Sequence, residues 1–186
     1  SGHFKNKGLH VPEIYCVSED LLAYVQEDLG SVMLLDVVEK EREGNRLSPH
    51  LMVLYKKALS ELLRFQLLGD QGFDYSRCIP RAVFDRRCIL WDLNYFKYCF
   101  LKATGMEFQE DKLEDDFQKM SDVLLRSSSA TFMYRDFQSR NVMIKDGNPW
   151  LIDFQGGRKG PFYYDIASFL WQAKAKYPDS LRKELL

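Results

Sequence analysis

Histidine is scarce in this sequence, with copies only at positions 3, 10 and 50, and the cysteines at 16, 78, 88 and 99 form no close Cys-x-x-Cys pair. That spacing speaks against the common zinc frameworks. No apolar run approaches the roughly 18 residues a membrane-spanning helix needs, and the N-terminus lacks the pattern of a signal peptide. Neither sign of charge dominates: 26 Lys plus Arg against 27 Asp plus Glu leave a formal net charge of -1. This balance removes the electrostatic case for bulk nucleic-acid binding, although a phosphorylated ligand needs only local positive groups or a cation. Internal repeats and low-complexity stretches are also missing. What is plentiful is aromatic, with 13 Phe, 10 Tyr and 3 Trp in 186 residues. That wealth excludes disorder for most of the chain and supplies core enough for one domain. The cysteines then read as free, mostly buried thiols of a cytoplasmic protein in a reducing compartment.

Both ends read as cut. Ser1-Gly2-His3 carries no initiator Met, and Leu185-Leu186 stops inside an apparent helix, so a piece of a larger protein is expected.

Residues 12–17 and 21–26 are short runs rich in Ile, Val, Tyr and Leu around Ser18-Glu19-Asp20, which predicts a hairpin. Glu27-Asp28-Leu29-Gly30 breaks it. Ser31 is a candidate cap for a helix carrying Leu34, Leu35 and Val38, and residues 39–48 read as a charged linker. Pro49 opens the strongest helical pattern, with Leu51, Leu54, Tyr55, Ala58, Leu62, Phe65 and Leu68 at steps of three and four before Gly69. A second helix is expected over 81–102, with Trp91 and Phe96 read as core. A third carries Leu113, Phe117, Met120, Leu124 and Leu125. After Ser127-Ser128-Ser129 the period changes to short strands at 131–134, 142–145 and 150–154, with Asp146-Gly147-Asn148 as a turn. Gly156-Gly157 and Gly160-Pro161 punctuate a loop, residues 163–176 read as a helix, and Pro178 opens a last one. The layout is predominantly helical α+β.

The chemistry concentrates in Tyr134-Arg135-Asp136-Phe137-Gln138-Ser139-Arg140-Asn141 and in Leu151-Ile152-Asp153-Phe154-Gln155. A hairpin over 142–153 would fold Asn141 and Asp153 back beside each other, giving two oxygen ligands for a hard cation such as Mg2+. Asp136 would lie on the same loop, free to take a proton. A metal on the phosphates plus a carboxylate that orients the acceptor hydroxyl is what phosphoryl transfer from ATP requires. The plainer reading makes Asp136 a turn cap and Asp153 an ordinary loop residue.

Arg-Asp-x-x-x-x-Asn, a hairpin and Ile-Asp-Phe, followed by Gly160-Pro161-Phe162-Tyr163-Tyr164-Asp165-Ile166-Ala167, resembles the kinase-like phosphotransferases of the aminoglycoside phosphotransferase and choline kinase group. Trp91-Asp92-Leu93-Asn94-Tyr95-Phe96 and Asp153-Phe154-Gln155 are similar to the bacterial N-acetylmuramate and N-acetylglucosamine anomeric kinases. The resemblance implies a protein kinase-like fold: residues 1–26 as a remnant of the small N-terminal lobe, 27–30 as hinge and 31–186 as the helical large lobe. It implies ATP and Mg2+ as cofactors, Asp136 as the base beside Arg135, and Asn141 and Asp153 as metal ligands. Gln26, Glu27 and Leu29 would meet the adenine through hinge backbone. Asp165 would hold the catalytic loop by accepting hydrogen bonds, or simply cap the helix near Ile166. Asp92, Asn94 and Tyr95 could hold a sugar. Arg158 with Lys159 could reach an anionic substrate, or form a solvated loop pair.

Departures are visible. Tyr134 stands where the group usually has a bracing His, Gln138 replaces a second His, and Gln155 stands where a Gly is common. The glycine-rich strand pair and the phosphate-pairing lysine strand are absent, and Lys5 and Lys7 are poor substitutes. Weak ATP binding is expected of such a chain. The acidic run from Glu107 to Asp116 suits either a cationic aminoglycoside or plain solvent. The function expected is phosphorylation of a small-molecule hydroxyl, on a sugar or amino sugar. The alternatives are aminoglycoside modification and a non-catalytic kinase-like scaffold. The partner expected is a small-molecule substrate, not nucleic acid or membrane, with a homo-oligomer or a missing small lobe also possible.

Overall fold

In the computed structural model, which describes residues 1–42, 48–126 and 130–186, helices pack around three two-stranded antiparallel sheets. The chain begins with α1 (Gly2–Asn6), the hairpin β1 (Ile14–Val17) and β2 (Tyr24–Gln26), α2 (Leu34–Glu41) and α3 (Pro49–Leu67). Next come α4 (Arg86–Phe96), which runs into a π-helical turn at Lys97–Leu101, and α5 (Glu110–Leu125). The last part holds β3 (Ala130–Met133), β4 (Val142–Lys145), β5 (Asn148–Leu151), β6 (Arg158–Pro161), α6 (Tyr163–Leu170) and α7 (Asp179–Leu185). No described helix is long and apolar enough to cross a membrane.

Helix α3 organises the core. The Ser48 hydroxyl accepts the Leu51 N–H at 3.0 Å, capping the helix while Pro49 fits the first turn without needing a donor. Of its predicted stripe, Leu51, Leu54, Tyr55, Ala58, Leu62 and Phe65 are fully buried, while Leu68, just past the helix end, is partly buried; each large buried side chain contributes about 1.5–3 kcal/mol. Against it pack Phe132, Tyr134, Phe137, Val142, Leu151, Phe169 and Tyr177 from the second half of the chain. Helix α1, which the sequence pattern did not announce, drives Phe4 into the same core, its ring 4.6 Å from Phe65 and 4.9 Å from Phe132.

Several expectations need correction. Ser31 is not the cap of α2. The Met33 N–H instead donates to the Asp36 carboxylate at 2.8 Å, so the stop comes from the first turn of the helix itself. Of the supposed linker, residues 39–41 are helical and 43–47 lie outside the described residues, as do Ser127, Ser128 and Ser129. Helix α4 begins at Arg86 rather than Arg81, because the Asp85 carboxylate accepts the Cys88 N–H at 3.1 Å. The segment before it runs extended beside β6: Phe84 donates to the Lys159 carbonyl at 2.7 Å and Lys159 to the Ala82 carbonyl at 2.9 Å. The loop expected around Gly160 is thus β6, paired with β3 from Ala130↔Pro161 to Met133↔Arg158. Helix α6 ends at Leu170, six residues early. Trp91 and Phe96 are not core. They are 45% and 44% exposed, because α4 buries the stripe through Cys88 and Ile89 instead. Only Cys88 is buried among the cysteines, with Cys78 intermediate and Cys16 and Cys99 exposed on the hairpin and the π turn.

Candidate active site

β3 delivers the chain into Tyr134-Arg135-Asp136, and that stretch is fixed from beneath by Asp165. The Asp165 carboxylate is fully buried at the start of α6. One oxygen accepts the Tyr134 N–H at 2.8 Å and the Gln66 amide at 2.8 Å, while the other accepts the Arg135 N–H at 2.7 Å. Burial pushes its pKa up to about 6, against the pull of those three donors. The bracing reading of Asp165 therefore applies to the loop, not to the helix end. Held this way, Arg135 adopts φ +78°, a left-handed conformation costly for a side-chain-bearing residue.

Tyr134 is fully buried, and its hydroxyl donates to the Ile152 carbonyl. Burial, together with the charges of Asp153, Asp165 and Asp136, raises its pKa well above the usual tyrosine value, so the hydroxyl stays a donor. Tyr134 thus ties the loop to the segment that leads from β5 to Asp153. Further along, Ser139 donates through both its N–H (3.0 Å) and its hydroxyl (2.6 Å) to the buried Gln172 side chain.

Asn141 follows from a turn of 3-10 helix and is buried at the start of β4. Its side-chain amide donates to the Asp136 carbonyl at 2.8 Å, which leaves its oxygen unspent by that bond. The β4–β5 register (Val142↔Leu151 to Lys145↔Asn148) brings Ile152 to donate to the Asn141 carbonyl at 3.1 Å. Asp153 follows immediately, exposed and at φ +67°. One of its oxygens accepts the Gln155 amide at 2.6 Å. Asn141 and Asp153 line one cleft of about 730 Å3 together with Pro12, Ile14, Val17, Tyr24 and Gln26 from the hairpin side. The Asp136 carboxylate receives no hydrogen bond from the described residues. Gly156 lies beside it, where a Cβ would stand 3.4 Å from its oxygen.

Other expected site residues fall elsewhere. The Glu27 N–H is spent on the Glu13 carbonyl at 2.8 Å, so it does not offer the amide expected for an adenine edge. Its carboxylate accepts from Lys145 at 2.8 Å and Lys5 at 3.4 Å, and the Lys145 bond is the main cause of its lowered pKa. Leu29 is buried. Asp92 accepts from the Arg135 guanidinium at 3.0 Å and the Tyr164 hydroxyl at 3.2 Å, bracing the loop from α4. Asn94 lies two residues on, about 200° round the helix, and donates to its own Leu90 carbonyl. Tyr95 is 72% exposed. Arg158 is neither a solvated loop charge nor open to the cleft. It is 3% exposed, donating to the Gly156 and Ile79 carbonyls at 3.1 and 3.3 Å.

Gln66 and Gln172 were missed from the sequence. The signal for Gln66 was there, an amide beside Phe65 on the buried side of α3, where a polar group needs partners.

A profile of the phosphotransferase enzyme family matches residues 2–186. The chain belongs to that family. Within it, the chain is 29% identical over 184 residues to N-acetylmuramate/N-acetylglucosamine kinase of Neisseria meningitidis serogroup B, covering 96% of this chain and 51% of that protein. The Pseudomonas aeruginosa protein of the same name is 27% identical over 183 residues, covering 96% and 49%. The phosphotransferase chain thus spans about half the length of these curated relatives. Among solved structures, choline kinase LicA from Streptococcus pneumoniae superposes with a TM-score of 0.63 at 13% identity, covering 100% of this chain and 57% of that one. The gentamicin-APH(2'')-IIa complex gives 0.59 at 15%, covering 100% and 61%. The fold is therefore the kinase-like α+β fold of these phosphotransferases.

Proposed function

We propose that the protein transfers the γ-phosphoryl group of ATP to a hydroxyl of an N-acetylated amino sugar, with Asp136 as the base. The observation that carries this reading is the joining of Asn141 and Asp153 on the wall of one cleft while the Asn141 side chain holds the backbone of Asp136. Residues 12–26 then act as the cover over the nucleotide and 27–30 as the hinge, while 31–186 form the acceptor-holding body, to which α1 belongs rather than to the cover because Phe4 packs into the same core.

The donor set fits magnesium. It offers one amide oxygen and one exposed carboxylate, and this ion commonly completes its shell with phosphate oxygens and water. Bound there, magnesium would neutralise charge on the transferring phosphates. Asp136, whose carboxylate receives no hydrogen bond among the described residues, accepts the acceptor proton as the new P–O bond forms and the γ-phosphoryl bond to the departing ADP breaks. Arg135, locked by Asp92, keeps the loop in its left-handed turn. The Gln26 backbone and the apolar faces of Ile14, Val17 and Tyr24 receive the base, with Leu29 packed beneath the hinge.

The amino-sugar acceptor is supported by the relatives at 27–29% identity. An aminoglycoside draws less support. The acidic face of α5 is partly answered within the chain, with Glu110 and Glu114 sharing Lys97 at 2.6 Å each, Glu110 also 2.8 Å from Lys102, and Asp116 3.3 Å from Lys119.

The test is ADP release with magnesium-ATP over N-acetylmuramate, N-acetylglucosamine, plain hexoses, choline and kanamycin, alongside calorimetry of magnesium-ADP binding. Turnover with the N-acetylated sugars and none with Asp136→Ala is expected. Turnover confined to kanamycin or choline would replace the acceptor. Nucleotide binding without turnover on any acceptor would favour a binding role.

A further inference from the structure

A second cavity, of about 330 Å3, lies away from the nucleotide cleft, between α4, α5, β6 and the start of α6. Its walls are apolar: Phe84, Ile89, Leu93 and Leu124, with the Tyr164 ring packed edge-on to Phe84 at 5.1 Å. Its rim carries Met120 and Leu125, both more than 40% exposed. Large apolar side chains standing open around a hollow are what a ligand site presents before it is filled.

One acidic group interrupts these walls, the carboxylate of Asp92. Its oxygens hold the Arg135 guanidinium at 3.0 Å and the Tyr164 hydroxyl at 3.2 Å. A carboxylate offers about four lone-pair positions, so acceptor capacity is left over while the charge is already matched by Arg135. An anion would meet that carboxylate, and a cation would compete with an ion pair already formed. The complement is a neutral molecule with a donor and a compact apolar body, and the Phe84 and Tyr164 rings in the wall favour an aromatic one.

We propose that this cavity binds a compact neutral aromatic molecule carrying one hydrogen-bond donor, and that its occupancy is coupled through Asp92 to Arg135. The coupling is structural: the ligand donor and the Arg135 guanidinium share one carboxylate, whose position then bears on the backbone turn before Asp136. The catalytic consequence rests on the reading of Asp136 as base, but binding itself does not.

Indole is a suitable probe, and 1-methylindole keeps its shape without the N–H. Binding is followed on the full chain, without nucleotide or magnesium, by heteronuclear NMR titration. Indole should bind saturably and shift resonances of Leu93, Leu124 and Tyr164 together with the Arg135 side-chain Nε–H. 1-Methylindole should bind at least about tenfold more weakly, the usual scale of a hydrogen bond to a charged acceptor. Leu125→Trp, at an exposed rim position that leaves the core intact, should abolish the shifts. Leu124→Ala, which widens the cavity, should retain them. Equal affinity for the two probes, shifts confined to the hairpin cleft, or undiminished binding to Leu125→Trp would each overturn the proposal. Because no nucleotide is present, a failure here is separable from a failure of the phosphotransfer reading.

Discussion

The Tyr134–Asn141 loop side and the hairpin side of the cleft lined by Asn141 and Asp153 are built on opposite terms. Around Tyr134–Asn141 the polar groups are buried and answered: Asp165 takes three donors, Gln172 takes two from Ser139, and the Asn141 amide holds Asp136. The β1–β2 hairpin has no such support. Tyr15, Val17, Tyr24 and Val25 are all more than half exposed, and the strands are held largely by each other and by Glu27. The loop side is thus formed before any ligand arrives, whereas the hairpin side gains burial only when something fills the cleft. On the proposed reading, preorganisation sits where charge must be placed, and adaptability where a base need only be covered.

If that contrast is right, the largest effect comes from removing the brace. Asp165→Ala leaves the Tyr134 and Arg135 N–H groups and the Gln66 amide without their shared acceptor. Each unsatisfied buried donor costs about 1–3 kcal/mol, so a loss of about 3–5 kcal/mol is expected in urea unfolding. A loss below about 1 kcal/mol would show that the loop is held by something else. Asp165 also makes a pH prediction with a definite sign. Its folded pKa near 6 lies above the unfolded value near 3.8, so the native state binds this proton more tightly. Stability from this group is fully present below the unfolded pKa and is lost as pH rises through 6. The stability of wild type relative to Asp165→Asn should therefore rise by about 2–2.5 kcal/mol from pH 7 to pH 4. A flat or falling difference would mean that the three donors outweigh burial.

On the cleft wall, Asp153→Ala should weaken magnesium-dependent ADP binding by about tenfold while leaving the unfolding midpoint nearly unchanged, because the side chain is exposed. The same binding loss with and without magnesium would remove the metal assignment.

How far the sequence could be read follows the same division. That Asn141 and Asp153 come to one cleft was legible because a short hairpin with a clear Asp-Gly-Asn turn fixes which residues come together. The α3 stripe was legible because its period is long and its cap is local. What escaped were features created by distant partners. β6 exists because residues 158–161 find β3 across about 28 positions, and 82–84 turn extended because β6 is there to receive them. Neither Gly-rich loop chemistry nor helical periodicity encodes that. The inward turn of Arg158 depends on the Ile79 carbonyl, another long-range partner, and so a charge that reads as solvated is buried. The exposure of Trp91 and Phe96 escaped because periodicity shows that a helix has an apolar side, not whether anything covers it.

The smallest effect sharpens the hairpin half of the comparison. Glu27 ties the end of β2 both to α1, through Lys5, and to β4, through Lys145. Each ion pair is partly exposed, and pairs of this kind contribute little to global stability. The midpoint of unfolding should therefore barely move in Glu27→Gln. Local opening is another matter, because the hairpin has few other anchors. Amide exchange at Tyr24, Val25 and Gln26 should quicken by about threefold, while Tyr134 and Arg135 exchange as before. Added magnesium-ADP should slow β2 exchange in wild type and variant alike, since the ligand supplies the missing cover. If instead the variant quickens exchange at the loop as strongly as at the hairpin, the two sides move as one unit. The preformed loop and the adaptable cover would then be a single element, and the contrast drawn from their burial would not describe how they respond to a ligand.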